Sequence, residues 1–168
     1  IGCNFRFYPP LQKIKKIFDS KNLGTVYSIH IENGSYLPDW QPCENYIKSY
    51  ASKKALGGGV TLTQIHELDY LCWFLGIPKE VTTVMNKISN LKINVDDINK
   101  TILQFSNSIM ASIHLDFFQR PFFKSCKIKS SKGILQWNSD ENKIKLYTSK
   151  NNQWSQIKIP NNYNLSSN

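Results

Sequence analysis

The sequence predicts an α+β domain, with a predominantly antiparallel open sheet and a few helices packed on one face. Two helical patterns and one strand pattern occupy the first half of the chain, and almost all of the second half alternates with the period of strands. The chain contains no Gly-x-Gly-x-x-Gly segment and no regular alternation of strands with helices. A doubly wound nucleotide-binding domain is therefore not encoded by these residues.

The chain begins with a short amphipathic helix and a half-buried strand. Pro9 and Pro10 suit the first turn of a helix. The apolar positions that follow have helical spacing until Asn22 and Gly24: Leu11, Ile14, Ile17 and Phe18. Over residues 25–32 the period changes to two, which predicts a strand. Its apolar face would carry Tyr27, Ile29 and Ile31, and its polar face Ser28, His30 and Glu32.

Residues 33–56 form a long stretch without a clear period, and we expect one helical turn or more around residues 44–51. Loops of this length inside a compact domain are usually functional or disordered, and the aromatic content favours a functional loop. Its aromatic residues either line a pocket or form a small core beneath the loop: Tyr36, Trp40, Tyr46 and Tyr50.

Three glycines precede the clearest helical pattern, which covers residues 60–75. One stripe of this helix is expected to be buried: Ile65, Leu68, Cys72 and Leu75. A second face is centred on His66 and is mixed polar and aromatic, as the wall of a cleft would be, with Thr63, Asp69, Tyr70 and Trp73. The glycines leave room for close approach, and the start of the helix would favour a negatively charged ligand.

After residues 81–88, six strands joined by tight turns indicate an antiparallel meander. They cover residues 100–105, 109–118, 124–130, 134–138, 143–149 and 154–159. In the strand over 143–149, Lys143, Lys145 and Tyr147 share one face. Ile144 and Leu146 share the other, so the sheet would have two different surfaces.

Length and composition fit a single domain over residues 1–168 with one core. Hydrophobic residues make up 40% of the chain and charged residues 20%. No apolar run approaches the roughly 20 residues that span a bilayer, and no export signal is present, so we expect a cytoplasmic protein without a membrane partner. Because the chain starts at Ile1 and ends in the polar segment 160–168, we expect that it begins within a longer protein and ends in a polar tail or a truncation.

The net charge of +9 raises the question of a nucleic-acid partner. Only Arg6 and Arg120 are Arg among the 21 basic residues, whereas readers of phosphates and bases favour Arg. We interpret the charge as a solvated, Lys-rich sheet face and expect no nucleic-acid partner. The four cysteines are too widely spaced for a zinc site and are expected to be reduced, so no metal is predicted: Cys3, Cys43, Cys72 and Cys126.

The histidines can be structural or functional. His66 is either a satisfied histidine at a domain edge, with Asp69 as its surface partner, or a proton-transfer group in a cleft. The segment that begins at His66 lacks the second histidine of a His-Glu-x-x-His zinc motif. His30 and His114 lie on polar faces of their strands, and we expect them to be structural or solvated.

Two segments resemble the Gfo/Idh/MocA oxidoreductases, namely Ile1-Gly-Cys-Asn-Phe-Arg-Phe-Tyr-Pro9 and Gly57-Gly-Gly-Val-Thr-Leu-Thr-Gln-Ile-His66-Glu-Leu-Asp69. The order of the elements, with a Tyr-Leu-Pro-Asp-Trp loop at residues 36–40, is similar over about residues 1–159. The resemblance implies a substrate-binding and oligomerising C-terminal domain, like that of glyceraldehyde-3-phosphate dehydrogenase. A Rossmann domain with a catalytic lysine would then precede Ile1.

The resemblance also implies roles for individual residues. His66 matches the family histidine that exchanges a proton with the substrate hydroxyl while hydride moves to or from NAD or NADP. Thr63 stands where many relatives have an Asp, and a threonine can hold a hydroxyl but carries no charge. Three glycines would lie near the cofactor: Gly57, Gly58 and Gly59. The residues expected to bind substrate are Asn4, Arg6, Tyr36, Trp40, Tyr46, Lys48, Tyr50 and Asp69.

The function implied for the complete protein is that of an NAD(P)-dependent dehydrogenase of a sugar, polyol or nucleotide sugar. The isolated chain would be inactive, and the open face of the sheet would form a homo-oligomer. Arg6 and Lys48 would answer a carboxylate or phosphate of the substrate, or be solvated. The alternative is a non-catalytic sugar-binding or assembly domain of the same fold, which Thr63 in place of the family Asp would suit.

Overall fold

A computed structural model describes residues 2–106, 108–141 and 143–159, so the predicted tail at 160–168 lies outside the described part. The helices are α1 (Pro9–Asp19), α2 (Val60–Thr63) and α3 (His66–Leu75), with short 3-10 turns at Asn4–Phe7, Leu37–Asp39, Tyr46–Lys48, Tyr50–Ser52 and Lys54–Leu56. The strands are β1 (Val26–Tyr36), β2 (Glu80–Asn86), β3 (Ile98–Gln104), β4 (Met110–Asp116), β5 (Phe118–Ser130), β6 (Gly133–Asn138), β7 (Lys143–Thr148) and β8 (Gln153–Lys158).

The eight strands form one open sheet in the order β2-β3-β4-β1-β5-β6-β7-β8. Every neighbouring pair is antiparallel except β1 and β4, which are parallel. The α+β class and the mainly antiparallel sheet are confirmed. The prediction of one continuous meander is wrong, because β1 separates β2–β4 from β5–β8. Inward residues of β1 are flanked on both sides by apolar residues, and a central position buries them best: Ile29 faces Ala111 and Ile128, and Ile31 faces Ile113 and Cys126.

The helices cover one face of the sheet, and the core lies between the helices and that face. Leu11 and Ile14 of α1 are fully buried, as predicted, and α1 contacts both α3 and β7. On the sheet, Leu135 and Ile144 belong to the same buried layer. The opposite face, which we call the open face, carries no helix in the described part of the chain. No helix there is long and apolar enough to cross a membrane.

The first half of the chain differs from its prediction in two places. Tyr27 is 57% exposed and Val26 is buried instead, because the pairing of β1 with β5 shifts register between Val26 and Ser28. The stretch predicted as irregular from residue 33 starts as strand, since β1 continues to Tyr36. The remainder is a series of 3-10 turns, of which Tyr46–Lys48 lies within the expected helical segment 44–51 and Tyr50–Ser52 begins in it.

The single helix predicted over residues 60–75 is two helices, because the backbone leaves the helical conformation at Gln64. The Nε2 of Gln64 is held there by the hydroxyl of Ser35 and the carbonyl of Asp116. The predicted buried stripe is also wrong, since its members are only half-buried. The residues that face the core are Gln64, Glu67, Tyr70, Leu71 and Phe74. The apolar pattern could not show this, because two of these residues are polar and are buried by pairing.

Candidate functional site

A cavity of about 400 Å3 lies where the helices meet the end of β1 and the start of β5. Its wall includes Asn4 and Phe5 from the first turn, Thr63 and Gln64 from the end of α2, and His66 from the start of α3. The break between the two helices therefore places His66 at the wall. A cavity of this size is in the range of small-molecule sites.

His66 is packed against the first turn of the chain. Its imidazole stacks on the ring of Phe5, with centroids 4.6 Å apart and an interplanar angle of 18°. Its Nδ1 is buried and has no hydrogen-bond partner among the described residues. Burial lowers the pKa of His66, Glu67 and Asp69 raise it, and Lys124 lowers it. The net direction is downward, so the neutral imidazole predominates near neutral pH and can accept a proton.

A buried ion pair lies next to His66. Nζ of Lys124 is 2.7 Å from Oε1 of Glu67, and both side chains are almost fully buried. The same ammonium lies 3.9 Å from the ring centroid of Phe5. Burial lowers the pKa of Lys124, while Glu67 raises it. Sequence reasoning missed this pair, yet a signal existed: Lys124 shares the inward period of Cys126 and Ile128, and an inward lysine requires a counter-ion.

A second ion pair lies where the loop after β1 meets the start of β5. Arg120 donates two hydrogen bonds to Asp39, at 2.6 and 2.5 Å, and lies 3.7 Å from the ring centroid of Tyr36. The guanidinium lowers the pKa of the Asp39 carboxyl. Both residues line the cavity, as Lys124 does. Each Lys or Arg that lines it is therefore already paired with a carboxylate.

Hydrogen bonds to Ser35 fix the aromatic part of the wall. Its hydroxyl accepts from Nε1 of Trp40 at 3.0 Å and from Nε2 of Gln64 at 3.1 Å. The Trp40 ring packs edge-on against Phe117, with centroids 5.4 Å apart. The loop containing Trp40 is thus anchored to both the sheet and the helix break.

The structure brings together five of the residues predicted for the site. Those that line the cavity are Asn4, Tyr36, Trp40, Thr63 and His66. The hydroxyl of Thr63 donates to the carbonyl of Gly59 at 2.6 Å within its own helix. This bond satisfies the Thr63 hydroxyl locally.

Five others lie outside the lining. Arg6 and Asp69 bind each other beside the cavity, through hydrogen bonds of 2.9 and 2.7 Å. Tyr46 packs against the core, and its hydroxyl accepts from the backbone N–H of Lys92 at 3.2 Å. Lys48 and Tyr50 are exposed to solvent. Two alternatives were open for the aromatic residues of the loop. Tyr36 and Trp40 line the cavity, whereas Tyr46 packs against the core.

The three glycines serve the chain's own backbone conformation and packing. A Cβ on Gly58 would lie 2.3 Å from the carbonyl oxygen of Tyr50, and Gly59 has a φ of +111°. The anion expected at the start of the helix is supplied internally, because Oδ2 of Asp96 accepts from the N–H of Thr61 at 3.0 Å and from its hydroxyl at 2.7 Å. None of the three glycines lines the cavity.

The four cysteines are free. Within residues 2–106, 108–141 and 143–159, no group of three or more His, Cys, Asp or Glu side chains is arranged to hold a metal ion.

The structure defines an α+β domain with a cavity between its helices and its sheet, and sequence comparison assigns its family. The sequence model of the GFO/IDH/MocA C-terminal domain matches residues 11–136. The chain therefore belongs to this family, and the resemblance inferred from its motifs is confirmed. A search of curated proteins gives no match.

Solved structures share the fold at low sequence identity. Levoglucosan dehydrogenase in complex with NADH and levoglucosan has a TM-score of 0.79 and 16% identity, over 94% of this chain and 46% of that one. An oxidoreductase from Agrobacterium radiobacter in complex with NAD+, L-tartaric acid and magnesium has a TM-score of 0.72 and 17% identity, over 92% of this chain and 44% of that one. An inositol dehydrogenase homolog from Azotobacter vinelandii complexed with NAD+ has a TM-score of 0.75 and 12% identity, over 94% of this chain and 43% of that one. The chain thus spans less than half the length of these proteins.

Proposed function

We propose that the protein containing this chain is an NAD(P)-dependent oxidoreductase of a sugar or polyol, in which this chain supplies the substrate-binding domain. The observation that carries the proposal is the imidazole of His66, which lies at the cavity wall with a buried Nδ1 that no described residue binds. Family membership and the NAD+ or NADH complexes of proteins with this fold support it. The isolated chain would be inactive.

His66 would move the proton of the reacting hydroxyl. Its lowered pKa keeps the imidazole neutral, so it can accept the proton as the substrate is oxidised and return it in the reverse direction. A bound nicotinamide supplies the hydride chemistry. On this chain, His66 is the residue that would face the nicotinamide ring.

The charge of the cavity favours a neutral part of the substrate. Arg120 and Lys124 are neutralised by Asp39 and Glu67, so the wall offers no unpaired Lys or Arg among the described residues to a carboxylate or phosphate. The face of Trp40 suits the C–H surface of a sugar, and amide side chains suit its hydroxyls. We therefore assign the polyol part of the substrate to this cavity.

We further propose that the open face forms a homo-oligomer. Exposed apolar side chains lie on it, with Ile102 and Met110 at one end and Trp154, beside the half-buried Tyr147, at the other. Lysines lie between these ends, at Lys127 and Lys145. A mainly antiparallel sheet with one uncovered face of this composition is suited to pairing with a second copy.

A non-catalytic sugar-binding or assembly domain is the second candidate. Thr63 favours this candidate, because its hydroxyl donates to the carbonyl of Gly59 and α2, which precedes His66, carries no carboxylate. Such a protein would retain the cavity and bind a polyol without turnover.

The test is a fluorescence titration of NADH and NADPH against this chain and against the longest gene product that contains it. The longer product is then assayed for oxidation of levoglucosan, inositol and L-sorbose. Cofactor binding by the longer product alone, with turnover, is the expected result. Binding of a polyol without turnover would favour the second candidate, and binding of neither cofactor by either protein would contradict the oxidoreductase proposal.

A further inference from the structure

The ion pair between Lys124 and Glu67 places two charged side chains in the buried layer between the helices and the sheet. Lys124 faces inward from β5 in line with Cys126 and Ile128, and Glu67 is the second residue of α3. Burying two charges costs several kcal/mol per ion, and replacement of such a pair by apolar residues is often neutral or stabilising. Stability alone therefore gives no reason for an ion pair at this position.

The pair is linked to His66 through two routes. Glu67 follows His66 directly, so its carboxylate holds the first turn of α3 against β5. The ammonium of Lys124 packs on the ring of Phe5 at 3.9 Å, and that ring stacks on the imidazole at 4.6 Å. The first turn, α3 and β5 thus meet at the ring of Phe5. This ring contacts His66 directly, and Lys124 of β5 contacts both the ring and Glu67.

We propose that Glu67 and Lys124 are positioning residues for His66, which fix the orientation of its imidazole through Phe5 and set the charge that surrounds its proton. This inference rests on the proposed role of His66 in proton transfer. It adds two residues, on α3 and β5, that the reaction would need without their touching the substrate.

The charged groups around His66 determine how its pKa changes when Glu67 or Lys124 is removed. Glu67 and Asp69 belong to its own helix, Lys124 comes from β5, and Arg6 from the first turn is bound to Asp69. After burial, Glu67 has the largest effect on the pKa of His66 and raises it, while Lys124 lowers it by less. Removing both charges therefore lowers the pKa of His66. Removing Glu67 alone lowers it as well, whether or not Lys124 keeps its proton.

The experiment is an NMR titration of the histidine ring signals in the longest gene product, with His66→Asn used to assign the signal of His66. The main variant is the double substitution Glu67→Gln with Lys124→Met, which leaves neither an unpaired charge nor a large change in volume. Glu67→Gln alone is the second variant. The matched control is Glu32→Gln on the open face, because Glu32 raises the pKa of His30 and does not affect that of His66.

The expected result is a lower pKa of His66 in both test variants, and a lower pKa of His30 but not of His66 in the control. The acid limb of the kcat/KM profile should move to lower pH in parallel. An unchanged His66 pKa in the folded double variant would overturn the inference. This readout needs no turnover. Failure of the oxidoreductase proposal would be recognised separately, by the absence of NADH and NADPH binding, and an unchanged rate of the His66→Asn variant would exclude His66 from proton transfer.

The aromatic link has its own test. Phe5→Leu keeps both charges and removes the ring that contacts Lys124 and His66. We expect kcat to fall with little change in KM, and Phe5→Tyr to restore it. Equal rates for the Phe5→Leu variant and the wild type would contradict a positioning role for the ring.

Discussion

Arg6 and Asp69 bind each other through a bidentate pair, with Nε to Oδ2 at 2.9 Å and Nη2 to Oδ1 at 2.7 Å, although 63 residues separate them. The pair ties the first turn of the chain to α3, directly beside His66. Hydrogen bonding to Arg6 lowers the pKa of Asp69. Arg6 and Asp69, both expected to bind a substrate, thus hold the first turn against α3 beside the cavity.

Arg6→Gln should lower the stability of the fold modestly at neutral pH and less at acidic pH. The pKa of Asp69 is lower in the folded chain than in the unfolded one, so the stabilisation is complete above the ordinary carboxyl pKa of about 3.9 and is lost as the pH falls through the folded value. Urea unfolding at pH 7 and pH 3 measures the difference. Lys13→Gln, which removes an exposed charge, is the control. A difference that does not change with pH would refute the linkage.

His66→Ala should lower kcat/KM of the longest gene product by about 10² to 10⁴ if the imidazole performs general acid–base catalysis. Binding of NADH should change far less than kcat/KM, because the substitution removes the group that accepts the proton. His30→Ala, on the open face, serves as the control for loss of a histidine. An unchanged kcat would exclude His66 from proton transfer.

The stability of the fold should fall as the pH is lowered through the range in which histidine titrates. Burial lowers the pKa of both His66 and His30. The unfolded chain therefore binds more protons than the folded chain between the folded pKa and about 6.5, and stability increases with pH across that window. His66→Gln should reduce this slope in thermal melts between pH 5 and 7.5. A slope equal to that of the wild type would show that His66 does not contribute.

Gly58→Ala should be more damaging than Gly57→Ala. A Cβ on Gly58 would meet the backbone carbonyls of Tyr50 and Ala51 at 2.3 and 2.6 Å, whereas one on Gly57 meets nothing within 4 Å. Gly57 has a φ of +74°, so its substitution costs about 1–2 kcal/mol of conformational strain. The backbone shift at Gly58 should cost about 3 kcal/mol. Chemical denaturation of both variants tests the order, and equal losses would argue against the contact.

Ile102→Glu should shift the oligomeric state toward the monomer. Ile102 is 50% exposed and lies on the open face. Val81, 55% exposed on the neighbouring strand, points to the other face of the sheet, so Val81→Glu is a control of matched exposure. Light scattering coupled to gel filtration measures both. Equal effects of the two variants, or no effect of either, would refute pairing through the open face.

The secondary structure was largely predictable, because it depends on local periodicity. The pattern after Pro10 gave α1, and the alternation in the second half gave strands β3 to β8. Their bounds are close to those observed except for β5, which begins at Phe118 and not at residue 124. The placement of β1 between β4 and β5 was not predictable in this way, since strand neighbours are set by packing between distant segments. The break at Gln64 has the same origin, because its partners Ser35 and Asp116 are remote in sequence.

The sequence by itself determined the family, through the opening motif and the triple-glycine segment, and it identified His66 as the residue of interest. Only the tertiary structure decided which polar residues surround it. Glu67 and Lys124 are 57 residues apart, and although the strand period places Lys124 inward, neither the helix nor the strand alone identifies its partner. Charges enter a core only when a counter-charge meets them there, and that meeting is a property of the assembled sheet and helices.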